Sequence, residues 1–158
     1  MRLIVFSDSH GRLEHALWAL RETGQVDLVL HAGDNYRDAL ELAEVTGLPV
    51  EAVPGNCDQG EKKPQELLLE LAGYRILLTH GHRIAHGRMH EELLAQAAET
   101  GAGAVVFGHT HMAEVRWDDG VLLFNPGSIA RPRDRQRPSY GILDLDKGGI
   151  RPSICRVP

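Results

Sequence analysis

The segment Met1-Arg2-Leu3-Ile4-Val5-Phe6-Ser7-Asp8-Ser9-His10-Gly11 passes from an apolar run into a polar cluster. A short apolar run that ends in polar residues predicts a buried β-strand over 2–6, followed by a loop. The run meets an acidic residue too soon to be the hydrophobic region of a secretory signal. We therefore expect a cytoplasmic protein in which this segment is a core strand.

The same change from apolar to polar residues occurs four more times along the chain. Short strands are predicted over 26–30, 50–53, 74–79 and 104–107. The polar clusters at their ends are His31-Ala32-Gly33-Asp34-Asn35, Pro54-Gly55-Asn56-Cys57-Asp58, Thr79-His80-Gly81-His82 and Gly108-His109-Thr110-His111. Ligands of open α/β sheets bind at the carboxyl ends of the strands, so we expect the clusters to share one edge.

Apolar residues at helical spacing predict helices after the first, second and fourth of these five strands. The helices are predicted near 13–23, over 39–45 and over 89–99. Further strands are predicted over 66–71, as a hairpin with 74–79, and over 113–117, 121–124, 141–145 and 151–156, whereas 126–138 is a loop rich in proline and arginine. This order predicts one domain over 1–158, an α/β sandwich with mixed sheets.

The composition narrows the class of protein. The chain has 158 residues, of which 42% are hydrophobic and 25% are charged, which is the balance of an ordinary folded domain. No apolar run reaches the roughly 18–20 residues of a membrane span. The net charge of −5 argues against a long nucleic acid as partner. Two cysteines make no disulfide framework, and nine histidines among few aromatic residues suggest a metal.

The polar clusters contain seven oxygen and nitrogen donors that suit a divalent metal. They are Asp8, His10, Asp34, Asn56, His80, His109 and His111. A zinc ion takes four protein ligands, so seven donors fit two ions that share a carboxylate. Mixed oxygen and nitrogen ligation admits Mn, Fe, Zn, Co or Ni.

The motifs Asp8-Ser9-His10, Gly33-Asp34, Gly55-Asn56-Cys57-Asp58, His80 and Gly108-His109-Thr110-His111 resemble, in order, the signature of the calcineurin-like metallophosphoesterases. The short length and the Gly-Asn-Cys-Asp motif are most similar to the small YfcE-type phosphodiesterases. The resemblance implies two mixed β-sheets flanked by helices, and two divalent metal ions, with Mn²⁺ expected to support activity in vitro. It implies that one ion is held by Asp8, His10, Asp34 and His111. It also implies that Asp34 bridges to a second ion, which Asn56, His80 and His109 complete.

The resemblance also implies a reaction: a metal-bridging hydroxide attacks the phosphorus of a small phosphodiester or nucleotide-like substrate. Catalytic roles are expected for His10, Asn56, Cys57 and His82, and substrate contacts for Asn56, His82 and Arg131. The alternative role for His82 is to support a neighbouring ligand. Cys57 departs from the family, because much of the superfamily has histidine there. A thiol with a reference pKa of about 8.5 is a poorer acid at neutral pH than imidazolium. This favours diesters over monoesters, with His82 or an ordered water as the alternative proton source.

Each motif taken alone has a plainer explanation. Asp8 and His10 would cap the following helix, and Asp34 and Asn56 would be turn residues. The remaining histidines, His15, His31, His86 and His90, are expected to face solvent or to be hydrogen-bonded locally.

The loop residues also leave two explanations open. Arg131, Arg133, Arg135 and Arg137 form either a solvated loop, partly neutralised by Asp134, or a rim that attracts phosphate. Asp58 is expected to orient a neighbouring group, and the sequence gives little support for a phosphate contact by Ser128.

Three other functions compete with the phosphodiesterase. A phosphomonoesterase would use the same site, and a non-catalytic scaffold of this fold would lack ligands, whereas all seven are present. A DNA nuclease is disfavoured by the short chain and the negative charge. The sequence leaves homo-oligomerisation open.

Overall fold

Two five-stranded sheets and three helices make up the computed structural model, which describes all residues from 1 to 158. The elements are β1 (Arg2–Phe6), α1 (Glu14–Thr23), β2 (Leu28–His31), α2 (Tyr36–Thr46), β3 (Val50–Ala52), β4 (Glu66–Leu71), β5 (Tyr74–Thr79), α3 (Met89–Thr100), β6 (Ala104–Val106), β7 (Ala113–Asp118), β8 (Val121–Pro126), β9 (Ser139–Asp146) and β10 (Gly149–Arg156).

Both sheets are mixed, as predicted. The first sheet has the order β10-β9-β1-β2-β3, with β1, β2 and β3 parallel and β9 antiparallel to β1. The second sheet has the order β4-β5-β6-β8-β7, with β5, β6 and β8 parallel and its two edge strands antiparallel. In the second sheet the parallel strands lie in the interior, whereas in the first sheet the parallel strand β3 forms one edge.

The core lies between the sheets and beneath the helices. One cluster of 15 buried residues takes alternate side chains of both sheets, such as Leu3 and Val5 from β1 and Leu122 and Phe124 from β8. A second cluster joins the other face of the first sheet to α1, and a third joins the other face of the second sheet to α3. The layers are therefore helix, sheet, sheet, helix, and no helix is both long and apolar enough to cross a membrane.

Most predicted elements are present, and the differences lie at their ends. The hairpin over 66–71 and 74–79 agrees to the residue. Strand β2 begins at Leu28, not at residue 26, because its pairing with β1 starts at Leu28, opposite Leu3. Strand β8 continues to Pro126 because its last residues pair with the edge strand β7.

The close packing of the sheets gives a first prediction. A Cβ atom at Gly141 of β9 would lie 2.4 Å from the ring of Phe124, which belongs to the opposite sheet. We expect Gly141→Ala to lower the free energy of unfolding by about 1–3 kcal/mol, as overpacking of a core does. Chemical denaturation measures the change.

Gly103→Ala is the matched control, because a Cβ atom at Gly103 meets no atom within 4 Å. We expect it to leave stability unchanged or slightly raised. Equal losses in the two variants would contradict the steric explanation for Gly141.

Candidate metal centre

The five polar clusters meet where the carboxyl ends of the two sheets come together. Asp8 and His10 follow β1, Asp34 follows β2, and Asn56 follows β3 in the first sheet. The second sheet contributes His80 after β5, and His109 and His111 after β6. Backbone hydrogen bonds join the loops: the N–H of Asp8 donates to the Gly33 carbonyl at 2.9 Å, and the N–H of Gly108 donates to the His80 carbonyl at 3.3 Å. The structure thus brings all seven predicted ligands to one place.

Four of the seven form a first ligand group. One donor atom from each of Asp8, His10, Asp34 and His111 lies within 4.8 Å of all the others. The Nε2 of His111 is 3.1 Å from Oδ1 of Asp8 and 3.4 Å from Nε2 of His10. These short separations place the four donors around a volume that suits a single ion.

The remaining ligands form a second group beside the first. The Oδ1 of Asn56 lies 3.2 Å from Nε2 of His80 and 3.0 Å from Nδ1 of His109. The Nε2 of His80 lies 3.6 Å from Oδ2 of Asp34. Asp34 therefore borders both groups, which is the position that a bridging carboxylate requires.

Two imidazole rings are oriented by backbone carbonyls. The Nδ1–H of His80 donates to the Ala32 carbonyl at 2.6 Å, and the Nδ1–H of His111 donates to the Arg131 carbonyl at 2.7 Å. In the neutral ring this leaves the lone pair of Nε2 directed into the site, as in histidines that bind metals.

Asp8 supplies the test of whether a cation fits. Its Oδ1 is buried and accepts no hydrogen bond, and it faces the Nε2 of His111. Two acceptors face each other there, so positive charge must lie between them, carried by a proton or by a metal ion. The donor set and this unpartnered oxygen fit a divalent cation.

The electrostatics of the protein alone show how strongly the site holds positive charge. Burial lowers the pKa of His80 and of His111, but their neighbouring carboxylates outweigh it and raise both. Burial raises the pKa of Asp34, yet hydrogen bonds from His80 and the Cys57 N–H lower it well below its usual range. The pKa values of His10 and His109 are lowered, chiefly by burial. The Asp34 carboxylate therefore stays ionised and ready to bind a cation.

Five of the seven ligands adopt a backbone conformation that non-glycine residues rarely take. The φ angles are 53° at Asp8, 48° at His10, 47° at Asp34, 67° at His109 and 60° at His111. Strained backbone of this kind persists where the surroundings impose it, and it concentrates at functional sites. The alternative that Asp8 and His10 cap the following helix is wrong, because α1 has Leu13 at its N-cap position and no side-chain cap.

Several polar residues hold the loops in place. Asp58 accepts hydrogen bonds from the N–H groups of Tyr36 and Gly55, both at 2.7 Å, and so orients its neighbours as predicted. The hydroxyl of Ser128 donates to the Asp8 carbonyl at 2.7 Å and accepts from the Arg131 N–H at 2.7 Å. The hydroxyl of Ser128 is therefore occupied by backbone groups and does not bind phosphate.

Sequence reasoning missed a buried network beneath the site. Ser9 donates to Oδ2 of Asp38 at 2.6 Å, and its oxygen is 2.9 Å from Nε2 of His31. His31 is fully buried, which lowers its pKa to about 4, and its Nδ1 accepts from the Gly33 N–H. Of the two expectations for this histidine, hydrogen bonding holds and solvent exposure does not. The sequence did contain a signal for this network, because Ser9 is a polar residue flanked by two predicted ligands.

The other candidate histidines outside the ligand set agree with expectation. Nδ1 of His15 lies 3.0 Å from the Ile129 carbonyl, and Nε2 of His90 lies 2.8 Å from Oε1 of Glu114. His86 is exposed.

A cavity of about 470 Å³ opens over the ligands. Its lining includes five of them together with Cys57, Arg131, Pro132 and Arg133. Asp134 pairs with Arg156 at 2.7 Å, so this carboxylate does not neutralise the two arginines of the cavity wall. Arg133, which sequence reasoning placed in the arginine-rich loop but not among the expected substrate contacts, is part of the wall.

Cys57 and His82 occupy different positions around the ligands. Cys57 is exposed at the cavity, and its N–H donates to Oδ1 of Asp34 at 2.8 Å. Desolvation and the Asp34 carboxylate raise the pKa of its thiol to about 11. His82 does not line the cavity; its ring centre lies 5.3 Å from that of His80, and its buried Nδ1 has no hydrogen-bond partner.

Comparisons with known proteins agree with this geometry. The family model of the calcineurin-like phosphoesterase superfamily domain matches residues 1–148. A probable metallophosphoesterase of Bacillus subtilis, YsnB, is 39% identical over 148 residues, which span 92% of this chain and 85% of the relative. The phosphodiesterase YfcE of Escherichia coli K12 is 31% identical over 92% of this chain and 89% of its own. A solved structure from Streptococcus pneumoniae, described as a predicted phosphoesterase, superposes with a TM-score of 0.84 at 31% identity, covering 98% of this chain and 88% of the other.

The shared position of Asp34 leads to a second prediction. We expect Asp34→Asn to lower the metal content of both ligand groups and to abolish activity, because the amide removes a charge that both groups use. His10→Ala or His111→Ala should instead weaken the first group before the second. Metal titration followed by elemental analysis measures the two occupancies.

The control for this variant is Asp118→Asn, which removes an aspartate that pairs with Arg116 on the surface. It should retain the wild-type metal content. Two ions bound to Asp34→Asn at wild-type affinity would overturn the bridging assignment.

Removal of metal by a chelator gives a third prediction. Activity should be lost while the core remains folded, because the apolar clusters between the sheets contain no ligand. The melting temperature should fall, since a free metal concentration of 100 times the Kd stabilises the folded state by about 2.7 kcal/mol. In addition, Asp8 and Asp34 would repel each other once the metal is removed.

Circular dichroism and thermal unfolding of the stripped protein test this expectation. A complete loss of cooperative unfolding would mean that the ions are structural.

Proposed function

The chain belongs to the calcineurin-like phosphoesterase superfamily, and on that premise we propose that it is a metal-dependent phosphodiesterase that acts on small phosphodiesters through a site for two ions. The observation that carries the proposal is the position of Asp34 between two groups of ligands, beneath a cavity with an arginine wall. The relatives named phosphodiesterase and metallophosphoesterase support the same reaction class.

The ligands would hold the ions and the cavity would hold the substrate. When bound, two divalent cations lower the pKa of a water molecule and stabilise negative charge on phosphate oxygens. Asp8 and Asp34 neutralise only part of that charge, so the cavity suits an anion. The guanidinium groups of Arg131 and Arg133, which line the same cavity, can donate paired hydrogen bonds to the phosphate oxygens. His80 and His111 keep their orientation because backbone carbonyls hold them.

The preference for diesters rests on the residue beside Asn56. Departure of an alkoxide from a monoester needs a proton donor more than departure of an activated leaving group does. Cys57 lies at the cavity, and a thiol gives up its proton less readily at neutral pH than an imidazolium does. His82 is the second candidate donor; its ring lies beside those of His80 and His109, and it is not part of the cavity wall.

A fourth prediction follows from the identity of residue 57. We expect Cys57→His to raise the ratio of monoester to diester kcat/KM, by up to roughly 100-fold if general acid catalysis is restored. The exposed position of Cys57 leaves room for the larger ring. The ratio is measured at saturating metal with a simple alkyl monoester, whose alkoxide needs a proton, and a 4-nitrophenyl diester, whose leaving group is activated.

Cys57→Ser is the matched control, since it keeps the size of the side chain and adds no imidazole. Its ratio should stay near that of the wild type. If Cys57→His binds metal normally and the ratio does not move, Cys57 does not set the ester preference, and His82 becomes the residue to test.

One experiment separates the competing functions. The protein is stripped of metal, reloaded with Mn²⁺, Fe²⁺, Zn²⁺, Co²⁺ or Ni²⁺, and assayed with monoester and diester reporters side by side. Faster release of phosphate from monoesters would favour the phosphomonoesterase. Metal binding without turnover of any reporter would favour the scaffold. The cytoplasmic location, the absence of a long nucleic acid partner and the oligomeric state stay predictions.

A further inference from the structure

A second cavity of about 500 Å³ lies beside the one over the ligands. Four apolar residues line it: Ile84, Ala85, Met89 and Met112. We name it the methionine cleft, because Met89 and Met112 supply its two thioether side chains. It shares His109 and Arg133 with the first cavity, so the two cavities are adjacent.

The walls of the cleft are attached to the segments that carry the ligands. Met112 directly follows His111 in the chain. Met89 packs against the loop between His80 and His82, since a Cβ atom at Gly81 would lie 3.2 Å from its sulfur. The cleft therefore has a fixed position relative to the ligand groups, as a substrate subsite requires.

The two cavities differ in chemistry. The first is lined by nine residues of which one is hydrophobic, whereas the cleft has four hydrophobic residues among nine. Arg133 lies at the shared boundary and is the only arginine or lysine of the cleft. Thioethers make favourable contacts with aromatic rings. The first cavity suits a phosphate, and the cleft suits an uncharged group that contains a ring.

The direction of the cleft indicates which part of a diester it takes. In an in-line displacement the attacking and leaving oxygens are opposite each other, and the ester group that stays on the phosphate projects to the side. The cleft joins the first cavity at its His109 edge and contains no residue of the first ligand group. It therefore lies to one side of the site.

We propose that the methionine cleft binds the retained ester group of the substrate and selects diesters in which that group carries an aromatic ring. The proposal rests on the proposed function, because a monoester has no retained ester group to fill the cleft. Both an aryl group and the base of a nucleoside have the required chemistry.

The first test measures binding and not rate. The chain has three methionines, so methyl-labelled methionine gives three NMR signals, and Met112→Gln assigns the Met112 signal. With the Zn²⁺-loaded protein, diphenyl phosphate should shift the signals of Met89 and Met112. Met1 is the internal control, because it precedes β1 and so lies at the opposite edge of the sheet. Dimethyl phosphate should leave all three signals in place.

The second test measures selectivity. The substrates are three diesters: methyl 4-nitrophenyl phosphate, phenyl 4-nitrophenyl phosphate and thymidine 5′-(4-nitrophenyl phosphate). All three release 4-nitrophenolate and differ only in the retained ester group. Met112→Ala and Met112→Gln should lower the phenyl-to-methyl ratio of kcat/KM by about threefold to tenfold. Leu40→Ala, which truncates an exposed apolar residue of α2, should leave the ratio unchanged. A larger fall for thymidine than for phenyl would identify a nucleoside as the better occupant.

The outcomes separate this proposal from the proposed function. Suppose that the wild type cleaves all the diesters, that the Met112 variants change kcat/KM equally for the methyl and phenyl esters, and that diphenyl phosphate shifts no methionine signal. The methionine cleft is then not the subsite, while the phosphodiesterase activity stands. If only monoesters are cleaved, the proposed function itself fails. Should Met112→Ala lose metal or stability, the ratio for Met112→Gln and the methyl shifts of the wild type still decide.

Discussion

The contact between Nε2 of His111 and Oδ1 of Asp8, 3.1 Å apart and shielded from solvent, constrains everything else at the site. The other nitrogen of the ring already donates to a backbone carbonyl, so a neutral ring directs its lone pair at the carboxylate oxygen. His80 and Asp34 repeat the arrangement. A buried acceptor without a donor is costly, and a cation between the two atoms removes that cost. The ring orientations, the strained loops and the buried carboxylates are all consistent with a bound cation.

The site also depends on the stacking of the two sheets. The first sheet carries both carboxylates and the asparagine, whereas the second carries three of the four histidines. Neither sheet holds a complete ligand group, because the first group needs His111 and the second needs Asp34. The separation of the sheets is set by close-packed side chains such as Phe124 against Gly141. Packing in the core therefore fixes distances between ligands that lie far apart in the sequence.

Local patterns were sufficient for the elements, and long-range contacts explain what they missed. The strands, the three helices and the hairpin follow from periodicity within each segment, and the ligands follow from polar residues at strand ends. The left-handed backbone at His109 and His111 could not be predicted, because neighbouring loops impose it. The burial of His31 depends on Ser9 and Asp38, which come from two other segments. His82 lies beside His80 and does not line the cavity over the ligands, a position that local sequence does not reveal.

The negative charge of the chain is compatible with an anionic substrate because the charge that matters is local. The net charge of −5 counts Asp8 and Asp34, whose carboxylates are directed at the ligand groups and would be neutralised by the ions they hold. Once these two are balanced by cations, the nearest free charges at the cavity are those of Arg131 and Arg133. A phosphate approaching the cavity therefore meets a positive field, while the rest of the acidic surface disfavours a polyanion that would extend beyond the cavity. The same distribution of charge thus supports the proposal of a small phosphodiester as substrate and the expectation that no long nucleic acid is a partner.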